Sequence, residues 1–255
     1  MRACTLASSI GCAIVRYVQL VETSKKTIDR SGMEATGSGL SSSLLLLVVV
    51  IGCAAAQVPI PARTDGFVYG GGKPAPAIGE TVVVEAYLDP VCPDSRDAWP
   101  ELKKAVEHYA SRVTVVVHLF PLPYHSNAFI SCRSIHTVNK INPLFVYPLL
   151  ERFFKYQEGY YNQPTYGKTR ATVVEEVTNN LVAPIIGKTK LAAYKAGFNE
   201  SQSDQATRIS FKYGCARGVT GTPYFFVNGI PLSGSGSPLD YNKWISLLDP
   251  LVGKM

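Results

Sequence analysis

Two apolar runs rich in β-branched residues occur in the middle of the chain, and an amphipathic segment separates them. The runs are TVVVEAYL at 81–88 and RVTVVVHLF at 112–120, and continuous apolar runs of this length predict strands buried on both faces. In the segment between them, apolar residues recur at helical spacing: Ala98, Leu102, Ala105, Val106 and Tyr109. This order predicts a βαβ unit with parallel strands and a right-handed crossover.

From residue 126 to about residue 214 the hydrophobic period is helical, and we predict several helices with caps at Ser126 and Thr169. The stretch TPYFFVNGIPL at 222–232 then predicts a hairpin around its Asn-Gly turn. The stretch SPLD at 237–240 predicts a last helix, with Ser237 as the N-cap. The whole order is β-α-β, a helical block, and β-β-α, which predicts an α/β fold with a central mixed sheet.

The N-terminal part follows a different pattern. The run LLLLVVVI at 44–51 is too short to span a bilayer comfortably, but it is typical of a signal peptide, with a small-residue cleavage site before Gln57. We predict a leader over 1–56, started at Met33 or carrying a tolerated extension, an irregular lead-in over 57–79, and a folded domain over 80–255. A lipoprotein box ending at Cys53 and an uncleaved signal anchor stay open as alternatives.

Composition narrows the classes of function. The chain is 46% hydrophobic and 17% charged, which is typical of a globular protein. Its formal charge of +6 is mild and no basic run occurs, so we do not expect nucleic-acid binding. We also expect no stable membrane insertion after leader cleavage and no metal site. The oligomeric state stays open.

Export changes the count of cysteines. Cleavage after residue 56 leaves Cys92, Cys132 and Cys215, and an odd number in an oxidising compartment predicts one pair and one free thiol. We favour a Cys132–Cys215 disulfide that joins the helical block to the core; three free thiols, or a pair that includes Cys92, are the alternatives. The sequon that begins at Asn199 is a candidate glycosylation site.

The stretch LDPVCPDSRDAW at 88–99 is a candidate thiol site. Cys92 falls at the start of the predicted helix, where unpaired N–H groups and the helix dipole stabilise a thiolate. Asp94 opposes this effect, and Arg96 offsets Asp94 in part. The polar context predicts a thiol near the surface, although a free cysteine can also be only a small buried hydrophobe.

These motifs, in this order, resemble the thioredoxin superfamily. The carriers of the resemblance are DPVCPDS at 89–95, Pro100 as the expected helix kink, and GVTGTPYFFVNG at 218–229. The helical block is similar to the DsbA-like branch, and HLFPLPYHSNAF at 118–129 is similar to a secreted subgroup in plants. The resemblance covers about 81–251 of the chain.

The resemblance implies a role for each matching residue. It makes Cys92 the nucleophile, Pro93 and Asp94 the intervening positions, and Pro223, preceded by Thr222, the cis-proline that faces the cysteine. The implied catalytic residues are Cys92, Ser95 and Pro223, and the implied substrate-binding residues are Pro93, Asp94 and Thr222, with His125 as a further candidate. The chain departs from the family at Ser95, which occupies the place of the resolving cysteine. A serine cannot resolve a mixed disulfide, although its hydroxyl could donate a hydrogen bond to the sulfur.

The implied function is a secreted monothiol thiol–disulfide oxidoreductase or isomerase that acts on protein or peptide thiols and disulfides. It needs no cofactor beyond an external thiol such as glutathione as co-substrate, unless Cys132 or Cys215 resolves Cys92. The implied compartments are extracellular, ER or vacuolar. Two alternatives stay open: a binding or scaffold module without turnover, and a glutathione-dependent transferase or isomerase. His125 is either a proton shuttle or substrate contact, or a packing residue.

Overall fold

The computed structural model describes residues 65–70, 81–233 and 236–252. The predicted leader, its cleavage site and most of the lead-in lie outside these residues. The lead-in is not wholly irregular as predicted, because it contributes the two-residue strand β1 (Phe67–Val68). Strand β2 (Val82–Leu88), helix α1 (Pro93–Tyr109) and strand β3 (Val113–Leu119) form the predicted βαβ unit, and β2 and β3 are parallel. Helix α1 continues through Pro100.

The sheet is mixed, and its strand order is β1-β3-β2-β4-β5. Strands β4 (Tyr224–Val227) and β5 (Ile230–Pro231) form the predicted hairpin. Asn228 and Gly229 have φ of 48° and 79°, the positive values that a tight turn of this kind requires at both central positions. Strand β4 pairs antiparallel with β2, and this pairing brings the chain before β4 to the end of β2 from which the thiol segment leaves.

The helical block between β3 and β4 is confirmed, and it consists of α2 (Ala128–Ile141), α3 (Val146–Tyr156), α4 (Asn162–Thr165), α5 (Arg170–Glu176), α6 (Ala183–Ile186), α7 (Leu191–Asn199) and α8 (Ser201–Ala216). A wide turn of π-helix (Val177–Val182) joins α5 to α6. The C-terminal helix is α9 (Tyr241–Val252). None of the helices in the described ranges is both long and apolar enough to cross a membrane.

One of the three predicted caps is confirmed. Thr169 Oγ1 accepts a hydrogen bond from Thr172 N at 3.1 Å at the start of α5. The prediction for Ser126 is wrong, because α2 begins two residues later and the Ser126 N–H donates to Asn162 Oδ1. At the C-terminal helix the cap is Asp240 instead of Ser237, since Asp240 Oδ1 accepts from Lys243 N at 2.8 Å.

Both faces of the sheet are covered, as the continuous apolar runs predict. Helices α1 and α9 cover one face, where the alternate residues Val84, Ala86 and Leu88 of β2 belong to the main hydrophobic core. Helix α8 covers the other face, where Tyr87 joins a smaller cluster with aromatic partners. The thiol segment leaves β2 at the edge of this second cluster.

Candidate thiol site

Cys92 lies at the N-cap position of α1, four residues after Leu88, the last residue of β2. Its backbone is extended, with φ −89° and ψ 124°, as is usual for an N-cap residue. The Cys92 N–H donates to the Asp89 carbonyl at 3.0 Å, and the Cys92 carbonyl accepts from Arg96 N at 3.1 Å. The strand end and the first helical turn therefore hold the backbone on both sides of the sulfur.

Cys92 is only 3% exposed, so the predicted surface position is wrong. The residue packs into the smaller apolar cluster, whose other buried members are Tyr87, Phe120, Leu122, Val219 and Phe226. The local sequence is polar, but all of these partners except Tyr87 come from strands and loops tens of residues away in the chain. A partner molecule has to reach a sulfur that is covered in the free protein.

The Thr222–Pro223 segment faces the sulfur. The Thr222–Pro223 peptide bond is cis, and the Thr222 carbonyl accepts a hydrogen bond from Cys92 Sγ at 3.5 Å. Thr222 is buried, and among the described atoms its Oγ1 has no hydrogen-bond partner. The structure thus brings together Cys92, Thr222 and Pro223, which are some 130 residues apart in the chain.

Ser95 occupies the first turn of α1 and is fully buried. Its Oγ accepts a hydrogen bond from Asp89 N at 3.2 Å, so its bond is to the backbone of the strand end and not to the sulfur. Pro93 is partly exposed and Asp94 is exposed. Arg96 pairs with Asp97 at 2.8 Å and with Glu158 at 3.2 Å.

Asp89 is a site residue that the sequence analysis missed. It is fully buried, and its Oδ1 accepts from Val91 N at 2.9 Å while its Oδ2 accepts from Leu122 N at 3.1 Å. Oδ2 also lies 2.9 Å from His125 Nδ1. An acidic residue directly after a buried strand was the available signal, since a carboxylate there has to find partners.

His125 follows β3, and because β2 and β3 are parallel it lies at the same sheet edge as Cys92. Its side chain is 21% exposed. The neighbouring Tyr124 is 62% exposed, and its ring meets the His125 ring edge to face at 4.9 Å. Burial, and then the nearby charges of Cys92, Asp89 and Asp94, raise the pKa of Tyr124.

The helical block also holds the thiol segment, through a second residue that the sequence analysis missed. Gln157 is fully buried, and its Nε2 donates to the carbonyls of Pro90 and Cys92, both at 3.4 Å. Tyr161 donates its hydroxyl to Gln157 Oε1 at 2.5 Å. No motif marks Gln157, because its role depends on two carbonyl groups more than 60 residues away.

The cysteines Cys92, Cys132 and Cys215 are free thiols in this structure, so the predicted Cys132–Cys215 disulfide is wrong here. Cys132 is fully buried in the main core, and burial, followed by the Asp89 charge, raises its pKa well above the ordinary value. Cys215 is exposed on α8. The two residues do not form a disulfide because the Cys132 side chain lies in the core and the Cys215 side chain lies at the surface.

Two further predictions concern the surface of the described ranges. Asn199 is the exposed last residue of α7, and its sequon continues into α8. No group of three or more His, Cys, Asp and Glu side chains able to hold a metal ion occurs among the residues that the structure describes.

The fold and the Cys-Pro segment facing a cis-proline define the class of thioredoxin-like proteins. The sequence pattern of the thioredoxin family matches residues 73–247, and the chain therefore belongs to the thioredoxin family. No curated protein matches the chain in sequence.

Solved structures with the same fold come from several bacteria. A protein from Pseudomonas syringae, proposed to be a protein-disulfide isomerase, is 18% identical with a TM-score of 0.57, over 72% of this chain and 98% of that chain. A thioredoxin-like oxidoreductase from Silicibacter pomeroyi is 15% identical with a TM-score of 0.52, over 73% and 91%. The thiol-disulfide exchange protein alpha-DsbA2 from Wolbachia pipientis is 12% identical with a TM-score of 0.54, over 73% and 87%. These likenesses establish the fold.

Proposed function

We propose that this protein is a secreted monothiol thiol–disulfide oxidoreductase or isomerase that uses Cys92 as its nucleophile. The observation that carries the proposal is the position of Cys92 at the N-cap of α1, with its sulfur 3.5 Å from the carbonyl that precedes Pro223. The thiolate is the form of a cysteine that attacks a disulfide. The names of the similar proteins from Silicibacter pomeroyi and Wolbachia pipientis support the same chemistry.

The proposed cycle uses one protein sulfur. The Cys92 thiolate attacks a disulfide, forms a mixed disulfide with one half and releases the other half as a thiolate, which takes a proton. A second, external thiol such as glutathione then attacks the mixed disulfide, forms a disulfide with the bound partner and returns Cys92 as a thiolate. Cys132 is unsuited to this second step, because a fully buried thiol with a raised pKa is a poor nucleophile.

We propose protein or peptide thiols and disulfides as substrates. The exposed Tyr124 ring lies within electrostatic reach of Cys92 and offers an apolar surface to an extended segment of a partner. Thr222 and Pro223 form the other side of the thiol. The leader pattern over 1–56 supports a location in the secretory pathway, with an extracellular, ER or vacuolar destination.

The test of this proposal is a pair of substitutions at the thiol segment. Cys92→Ser should abolish the exchange of mixed glutathione disulfides by the purified mature protein. Ser95→Cys should install a resolving thiol in the first turn of α1, so that substrate is released without added thiol and an intramolecular disulfide forms. Full activity in Cys92→Ser would overturn the proposal.

One observation favours a second candidate, a binding or scaffold module that kept the fold and lost turnover. Cys92 is nearly covered, and a purely structural thiol would be buried in the same way. For this candidate, partner binding survives Cys92→Ser, and the wild-type thiol reacts no faster than free glutathione at neutral pH. The glutathione-holding serine of a transferase or isomerase finds no support, since Ser95 is buried and bonded to Asp89.

A further inference from the structure

Asp89 connects the end of β2, the first turn of α1 and the loop after β3 at the thiol. Its carbonyl accepts the Cys92 N–H at 3.0 Å, and its N–H donates to Ser95 Oγ at 3.2 Å. Its carboxylate binds the N–H of Val91 and of Leu122, and contacts His125. A carboxylate with no exposed surface is costly unless each oxygen has partners, so this residue is held in one geometry.

This geometry determines the state of the His125 ring. The two backbone partners of the Asp89 carboxylate are donors, so its oxygens act as acceptors, and His125 Nδ1 at 2.9 Å has to carry the hydrogen. The neutral ring then has its lone pair on Nε2, the nitrogen that Asp89 does not hold.

His125 and Cys92 belong to the same small region. One residue, Asp89, holds the Cys92 backbone through its carbonyl and the His125 ring through its carboxylate. Tyr124, which packs against the His125 ring at 4.9 Å, has its pKa raised by burial and then by the charge of Cys92. The Cys92 thiol donates to the Thr222 carbonyl, and this bond exists only while the sulfur keeps its proton. An acceptor for that proton is therefore required before the sulfur can attack.

We propose that Asp89 is a positioning residue that holds His125 in the tautomer with a free Nε2, and that this nitrogen exchanges the proton of Cys92. Nε2 takes the thiol proton as the sulfur attacks a disulfide substrate; the new bond joins Cys92 to one half of the substrate. The sulfur–sulfur bond of the substrate breaks, and its leaving thiolate takes the proton back from Nε2. This inference rests on the proposed thiol chemistry of Cys92.

The titratable and charged groups near His125 and its two neighbours, Asp89 and Tyr124, come from four elements. Asp89 lies at the end of β2, and Tyr124 lies on the loop of His125 itself. Cys92 and Asp94 from the start of α1 act on Tyr124, and Cys132 of α2 lies close enough to Asp89 to feel its charge.

The test measures the rate of mixed-disulfide formation at Cys92 from pH 5 to pH 10, for the full mature chain and its variants. His125→Gln and Asp89→Asn should slow the reaction about 100-fold near pH 7, the lower end of general acid–base contributions. At a pH high enough for a thiol to ionise without a general base, the rates of the wild type and of both variants should become equal. His108→Gln, at an exposed position on α1, is the matched control and should keep the wild-type profile.

Added imidazole should restore the rate of a His125→Gly variant, which a merely structural histidine would not show. If Asp89→Asn does not fold, the His125 variants decide the outcome alone. Profiles that superimpose, or that fall by one constant factor at every pH, would overturn this inference while leaving Cys92 as the nucleophile. A wild-type Cys92 that fails to react at any pH would instead overturn the proposed function.

Discussion

The two faces of the sheet have opposite chemistry, although the same strands form both. On the face covered by α1 and α9, the residues of β2 are Val84, Ala86 and Leu88, and they belong to an apolar core that includes Leu102 and Trp244. On the face covered by α8, the same strand presents a carboxylate and a tyrosine, and β3 presents a histidine. One face is a uniform core, and the other contains charges and the thiol.

The charges on the α8 face form a connected network. Arg217 donates to both oxygens of Glu85 at 3.0 Å, and His118 Nε2 lies 3.3 Å from Glu85, close enough for an ion pair but poorly aligned for a hydrogen bond. His118 Nδ1 is 3.1 Å from Asp65, which also accepts from Ser210 at 2.6 Å. The network ties the segment before β1 to the sheet and to α8.

The comparison of the two faces shows that the burial of an apolar residue and the burial of a charge have different consequences for stability. An apolar contact is lost in proportion to the atoms removed, whereas a buried charge that loses its partner keeps the whole cost of leaving water. The thiol cluster lies on the face with the charges, and Tyr87 stacks on His118 at 4.5 Å and belongs to the cluster that packs around Cys92. The charged network therefore contacts Tyr87, which belongs to the apolar cluster against which Cys92 packs.

The largest expected effect comes from breaking the network. Glu85→Ala should lower the free energy of unfolding by about 3 kcal/mol, at the low end for a broken buried pair because Arg217 keeps some contact with solvent. Adding Arg217→Ala should recover part of the loss, since it removes the unpaired partner. Urea unfolding at pH 5.5 measures both. If the double variant loses the sum of the single losses, Glu85 and Arg217 do not act as a pair.

A second prediction concerns pH. Burial disfavours the charged forms, but the close contact with His118 and the hydrogen bonds and charge of Arg217 outweigh it and lower the pKa of Glu85 to about 2. Asp65 and Glu85 in turn raise the pKa of His118 above 6.5. Glu85 thus stabilises the fold above about pH 4.5, and this contribution is lost as the pH falls through about 2. His118 stabilises the fold below pH 6.5 and ceases to do so as the pH rises through its raised pKa.

Stability curves against pH for wild type and His118→Gln should therefore diverge most below pH 6.5 and approach each other in alkali. Val84→Ala, next to Glu85 on the opposite face, is the matched control and should cost the same free energy at every pH. A constant gap between wild type and His118→Gln would contradict the role given to His118.

A third, smaller effect tests the packing of α8. A Cβ at Gly214 would lie 2.5 Å from Phe120 Cδ2, so Gly214→Ala should destabilise the fold by about 1–3 kcal/mol although alanine favours helices. Gly197→Ala on α7 is the control, because its Cβ would meet only a Thr137 methyl at 3.3 Å. Thermal unfolding compares the two. Equal effects would mean that α8 does not pack closely on the sheet.

The smallest expected effect concerns the rim of the thiol site. Asp94, Asp97 and Glu158 are exposed there, and Arg96 is the cation that pairs with two of them. A cationic disulfide such as cystamine should react with Cys92 faster than the anionic dithiodipropionate by about 5-fold or less, since exposed charge pairs contribute about 1 kcal/mol or less. Asp94→Asn and added salt should both reduce this preference.

Local patterns predicted the elements well but predicted their partners poorly. The strands β2 and β3, the Asn228-Gly229 hairpin and the helical block follow from hydrophobic period and turn chemistry. Strand β1 was missed because two residues carry no period. Asp240 replaced Ser237 as a cap because several polar residues precede α9, and local sequence does not choose among them.

The sequence by itself determined the βαβ unit, the hairpin, and the place of Cys92 at a strand–helix junction with serine in the fourth position of its motif. These features depend on neighbours within a few residues and on the alternation of apolar and polar positions. Only the tertiary structure decided that Cys92 is covered, that Asp89 holds His125, and that Cys132 and Cys215 stay apart. Those outcomes depend on which side chains contact each other across tens of residues of sequence, because these long-range contacts determine burial and hydrogen bonding.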